Sequence, residues 1–126
     1  MSNKWDEFAS TKYTLRNLGR PAVFLIPSKK LRHQMNETTV EESVKIFLMG
    51  QFGAFSMTPL PYFGVWMDGE VIHYDECCRY EVSFVGKEHI PKLLEFLSDV
   101  AIATEEICLY VSAGQYTCLL YPASTD

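Results

Sequence analysis

The sequence predicts an α+β domain: an antiparallel sheet with two helices on one face, in the order βαββαβ, with one extra strand from a C-terminal hairpin. Three observations carry this. Asp68-Gly69 sits between two aromatic and β-branched runs, 62–67 and 70–84, the strongest short-range hairpin signal. Thr38-Thr39, followed by Glu41-Glu42, opens a segment with helical spacing of apolar residues. The continuous apolar run AVFLI at 22–26, ended by Pro27, reads as a buried strand.

Taken in order, residues 1–21 are mixed, with Trp5, Phe8, Tyr13 and Leu15 available to pack as an N-terminal strap or short helix. Residues 22–126 are expected to form a single domain. After the strand at 22–26 a polar linker runs to Glu37. Thr39 with Glu42, or Thr38 with Glu41, makes a capping box. Val40, Val44, Phe47, Leu48 and Gln51 or Phe52 then form a buried stripe, and Gly53 ends the helix. A strand begins at 54–57, but Pro59 and Pro61 cannot donate to a ladder, so an edge, bulge or loop is expected there.

The strand resumes at Tyr62, turns at Asp68-Gly69 and returns to Phe84, bringing 74–76 opposite the prolines. Tyr80, Val82 and Phe84 alternate with Arg79, Glu81 and Ser83, the pattern of a half-buried strand. Gly86 releases the chain into a second helix with Pro91 in its first turn and Ile90, Leu93, Leu94, Leu97 and Ala101 inward. A final strand at 107–111 turns at Ala113-Gly114 into a short partner at 116–121. As a pattern of elements this resembles the ferredoxin-like arrangement, which hosts enzymes, metal carriers, regulators and RNA binders. The resemblance implies one uncovered sheet face, to be buried by another subunit or a small ligand.

With 126 residues, 48% hydrophobic and 13% aromatic, the chain can build a core, and disorder is excluded. No run offers the roughly 20 apolar residues that span a bilayer, and the first residues have no apolar leader, so no membrane partner is expected. Cys77 and Cys78 are adjacent and point to opposite faces. With the turn at Ala113-Gly114, Cys118 falls opposite Leu109 and Cys108 opposite Leu119, again on opposite faces. Without a tidy pairing or a CxxC, reduced thiols in a cytoplasmic protein are expected.

The net charge of -5 is uneven: residues 1–45 carry eight basic and five acidic groups, residues 46–126 three and eleven. Lys29, Lys30, Arg32 and His33 are too few for a continuous phosphate-binding surface, so no nucleic-acid partner is expected.

His73, Asp75 and Glu76, beside Cys77 and Cys78, are of metal-ligand type, yet in a regular strand His73 and Asp75 share one face while Glu76 and Cys78 share the other, which splits the set. No metal and no cofactor are therefore expected. Acid–base chemistry would pair His73 with Asp75, or Glu81 with Glu105 or Glu106. There is no GxSxG, HExxH, P-loop or GxGxxG. Tyr62, Trp66 and Tyr80 have the chemistry of interface anchors, with Asp75, Glu76 and Glu81 as surrounding charge. The expectation is a non-enzymatic protein working through a protein–protein interface, as a homodimer or against a basic protein partner. The alternative is a small-molecule-binding protein or small enzyme with a pocket beside the 62–84 hairpin.

Overall fold

A computed structural model describes residues 4–114 and 116–123. Its elements are β1 (Arg20–Pro27), β2 (Gln34–Met35), β3 (Thr38–Thr39), α1 (Val40–Phe52), β4 (Ser56–Asp68), β5 (Val71–Phe84), α2 (His89–Thr104), β6 (Leu109–Ala113) and β7 (Tyr116–Leu120). The main sheet has the order β4-β5-β1-β6-β7, with every pairing antiparallel. This is the expected ferredoxin-like sandwich, extended by β7. The linker expected after β1 instead holds a short 3-10 turn, Ser28–Lys30, and the small β2–β3 ladder.

Local chemistry explains the helices. Thr39 is extended, and its hydroxyl accepts the Glu42 backbone N–H at 3.2 Å, so the capping residue is Thr39 rather than Thr38. Val40, Val44 and Leu48 are buried, and the helix stops at Gly53. In α2, Pro91 lies in the first turn and Leu93, Leu97, Val100 and Ala101 face inward. Phe47 and Phe96 stack at 4.1 Å, joining the helices, and Phe24 stacks on Tyr80 at 5.2 Å within the sheet. The core thus lies between the helices and one sheet face, lined by Ala22, Phe24 and Ile26 of β1, Tyr80 and Val82 of β5, and Leu109 and Val111 of β6.

Both hairpins differ from expectation by the same amount. Asp68 pairs with Val71 and Ala113 with Tyr116, so each ladder closes one residue later than a turn at Asp68-Gly69 or Ala113-Gly114 would allow. Gly69 and Gly114 have φ near +63° and +64°, and the glycine takes the first central position instead of the second. Partners shift by two residues: Cys118 faces Val111, not Leu109, and Tyr74, Asp75 and Glu76 face Val65, Gly64 and Phe63 rather than the prolines. A two-residue shift preserves every face. The prolines fall in a bulge on edge strand β4, between Thr58 opposite Arg79 and Tyr62 opposite Cys77.

Replacing Leu48 with Ala should cost about 2–5 kcal/mol in urea denaturation, as for a fully buried leucine. Thr39→Ala should cost about 1 kcal/mol. If Thr39→Ala proves neutral, the hydroxyl does not stabilise the helix start.

Candidate functional site

Where β5 leaves β1, the sheet becomes a two-stranded ribbon. Pro27 opposite Cys77 is the last β1–β5 pair, and from there β4 and β5 continue alone to the turn. On the ribbon face continuous with the uncovered side of the sheet lie three rungs: Tyr62 with Cys77, Gly64 with Asp75, and Trp66 with His73. Opposed residues of an antiparallel pair share a face, which brings these side chains together.

The Trp66 and His73 rings stack at 4.4 Å and 16°. The indole N–H of Trp66 donates to Asp75 Oδ2 at 3.4 Å, across the gap left by Gly64. His73 Nε2 is buried, has no hydrogen-bond partner among the described residues, and lies 3.9 Å from Asp68 Oδ2. The pairing of His73 with Asp75 is therefore indirect, with Trp66 contacting both. Next along the strand, burial and then the charge of Asp75 push the Cys77 thiol up to about 11, so it stays protonated at neutral pH.

Glu106, just before β6, reaches the same end of the sheet. Its carboxylate is 3.9 Å from the Lys30 ammonium, which also donates to the Thr104 carbonyl at 2.8 Å. Burial raises the Glu106 carboxyl above its ordinary range, Lys30 opposes this, and Asp75 adds to it. Asp75 and Glu106 thus feel one another across the mouth of the ribbon, with Lys30 as the nearby cation.

The remaining expected residues are placed differently. Tyr80 is 1% exposed, on the helix-covered face, so it is a core residue rather than an interface anchor. Glu76 is exposed on the ribbon face opposite to Asp75. Glu81 lies opposite Val23 and pairs with Arg79 at 2.9 Å, and Arg79 in turn sits over the Tyr62 ring. It forms no pair with Glu105, which caps α2 in a left-handed conformation, or with Glu106, which answers to Lys30. Sequence reasoning did not link Lys30 and Glu106, 76 positions apart, because only the β1–β6 pairing unites them. An open concavity of about 300 Å³ lies on the helical layer, lined by Phe47, Gln51, Lys92, Glu95, Phe96 and Asp99, away from the ribbon. Among the described residues no group of three His, Cys, Asp or Glu side chains could hold a metal, and no helix is long and apolar enough to cross a membrane.

Two predictions follow from this electrostatic arrangement. Under iodoacetamide at about pH 8, exposed Cys118 should label first and Cys77 roughly tenfold more slowly or worse. Equal rates would mean that Cys77 is neither shielded nor kept protonated. A carboxyl raised by burial favours folding while protonated and loses that advantage as pH rises through its folded value. Glu106→Gln cannot ionise, so its stability relative to wild type should improve between about pH 4 and pH 7. A decline over that range would show that the attraction to Lys30 outweighs burial.

No protein-family model matches the chain. No curated protein matches it. Among solved structures, it resembles a phage SAM lyase in complex with S-methyl-5'-thioadenosine, at 16% identity and a TM-score of 0.59, covering 89% of this chain and 96% of that one. It also resembles a phage SAM lyase in the apo state, at 14% identity and a TM-score of 0.56, covering 90% of this chain and all of that one. At these identities the likeness is one of fold. It corrects the expectation of a non-enzymatic, protein-binding role, because chains sharing this architecture over nearly their whole length are enzymes, one of them holding a small molecule.

Proposed function

We propose that this chain is a small-molecule enzyme that binds SAM, a nucleoside sulfonium, at the base of the ribbon and acts on it as a lyase. The observation that carries this reading is the aromatic and acidic surface formed by Tyr62, Trp66, His73 and Asp75 on one face, with Glu106 beside it. The whole-length likeness to two phage SAM lyases supports it. The surplus of acidic groups in residues 46–126, which had suggested a basic protein partner, is assigned here to attracting a cationic small molecule.

The chemistry divides the residues into two roles. Conversion of SAM to S-methyl-5'-thioadenosine breaks the bond from sulfur to the amino-acid chain; the electron pair stays on sulfur, and the vacated carbon is closed from within the same fragment, by its own carboxylate to give a lactone or by loss of a neighbouring proton to give an alkene. Positive charge at sulfur therefore falls toward the transition state. A carboxylate against sulfur would favour the starting cation and raise the barrier, because only differential stabilisation accelerates a reaction. The aromatic faces of Trp66 and Tyr62 suit the purine, by stacking, and the sulfonium, by a modest cation–π attraction. Asp75 and Glu106 suit the substrate ammonium, whose charge is unchanged as the bond breaks. The four free thiols support a cytoplasmic setting, and self-association as a homodimer stays part of this proposal.

The test is to incubate the purified protein with SAM, follow S-methyl-5'-thioadenosine by chromatography, and measure product binding by calorimetry. Wild type should release the product, and Trp66→Ala should lower kcat/KM by about tenfold or more. Asp75→Asn should act mainly on KM, as expected for a group that binds an ammonium. A wild-type protein that neither turns over SAM nor binds the product overturns the reading.

A further inference from the structure

SAM carries three charges: the sulfonium, an α-ammonium and an α-carboxylate. Aromatic rings and carboxylates suit the first two, and neither suits the third. Arg79 and Lys30 both stand near the base of the ribbon. Arg79 is committed, since it donates to Glu81 at 2.9 Å and covers the Tyr62 ring. Lys30 is not. Its side chain is only 19% exposed, and among the described residues its one hydrogen bond runs to the Thr104 carbonyl at 2.8 Å. An ammonium has three N–H donors, so two remain. The bond it does make fixes it against the last turn of α2 before any ligand arrives.

Glu106 mirrors this. Its side chain is 16% exposed, and among the described residues its carboxylate accepts no hydrogen bond. The two charges lie 3.9 Å apart, whereas a charge-assisted hydrogen bond closes at about 2.7–2.9 Å. A pair that gives up water without closing on itself is a poor stabiliser. It is a better receptor: an open anion–cation couple that a zwitterion can bridge, ammonium to Glu106 and carboxylate to Lys30. The couple is also within electrostatic reach of the ribbon. Burial raises the Glu106 carboxyl most, Asp75 adds to it, and Lys30, Lys29 and His33 pull it back. Cys77, next to Asp75 along the same face and opposite Tyr62, feels both Asp75 and Glu106. From Trp66 and Tyr62 through Asp75 to Glu106 and Lys30, the face thus offers rings first and opposite charges last, the order of groups along SAM.

We infer that Lys30 and Glu106 form the seat for the amino-acid headgroup of the substrate, with Lys30 the binding residue for its α-carboxylate. This rests on the lyase reading and adds a specificity to it. The site takes nucleoside sulfonium and thioether compounds that keep an intact α-amino acid, and it disfavours their decarboxylated forms, which would leave the Lys30 ammonium without its anion. The basic run after β1, too short for a nucleic-acid surface, thereby has a use at the scale of one carboxylate.

The test is calorimetry of the full chain with three ligands that share a neutral thioether sulfur. S-methyl-5'-thioadenosine has no headgroup, its S-(3-aminopropyl) analogue adds the ammonium alone, and S-adenosylhomocysteine adds ammonium and carboxylate. In wild type the step from the second to the third should tighten binding about tenfold, the worth of one charge-assisted hydrogen bond. Lys30→Met should abolish that step and still bind S-methyl-5'-thioadenosine within about twofold of wild type. Lys30→Arg, which keeps the charge, should retain part of the step. Should Lys30→Met fail to fold, the wild-type series alone decides, because no gain from the carboxylate overturns the inference. A Lys30→Met loss that is equal for all three ligands also overturns it, since that is the mark of a structural residue. A wild type that binds S-methyl-5'-thioadenosine without preferring the carboxylate sinks this inference and spares the lyase reading. One that binds none of the three and leaves SAM intact overturns both.

Discussion

The rest of the molecule depends on where β1 stops. Eight residue pairs join it to β5, from Arg20 opposite Phe84 to Pro27 opposite Cys77. Pro27 supplies no N–H for a further ladder bond, and the chain turns at once into the Ser28–Lys30 3-10 turn. On one side of that pair β5 is a central strand packed beneath two helices. On the other it belongs to a free ribbon. Lys30 is delivered to the boundary by the same turn, where it meets the α2 terminus and Glu106. The candidate site therefore forms where the sheet loses a strand, and its members come from β4, β5, the turn after β1 and the segment before β6.

Alternation along β5 assigns roles within this frame. Asp75, Cys77, Arg79 and Glu81 share the uncovered face, while Tyr80 and Val82 are committed to the core. The polar members settle into separate pairs. Arg79 occupies Glu81, Lys30 occupies Glu106, and Trp66 links His73 to Asp75. Gly64 matters by absence: without a side chain opposite Asp75, the indole of Trp66 can lean along the strand to reach the carboxylate.

Much of the fold was legible in the sequence because it rests on local chemistry. The Thr39 cap, the Val40–Val44–Leu48 stripe, the inward face of α2 and the bulge at the prolines all follow from residues within a few positions of one another. The site was legible only in part. Tyr62, Trp66, His73 and Asp75 declared themselves by chemistry, and strand alternation correctly grouped His73 with Asp75. Tyr80 was misplaced because a tyrosine suits core and interface alike; its stacking on Phe24 decides the matter. Glu106 gained its neighbours through a pairing between the two ends of the chain, which no local pattern encodes. The hairpin turns were located to within one residue, since a glycine flanked by strand residues marks a reversal without saying which central position it occupies.

The bulge on β4 has an odd-and-even consequence for how this chain can change in length. Between Thr58 and Tyr62 the strand advances four residues while β5 moves back only two, from Arg79 to Cys77. The surplus is two, so both halves of β4 keep the same faces. Gain or loss of two residues there would alter the twist and reach of the ribbon while leaving Trp66 beside His73. Gain or loss of one would turn the distal ribbon over, carrying the indole to the hydrophobic side and Val65 to the polar one. Relatives of this chain should therefore vary in length by pairs at this point, a parity rule that can be read from an alignment without any structure.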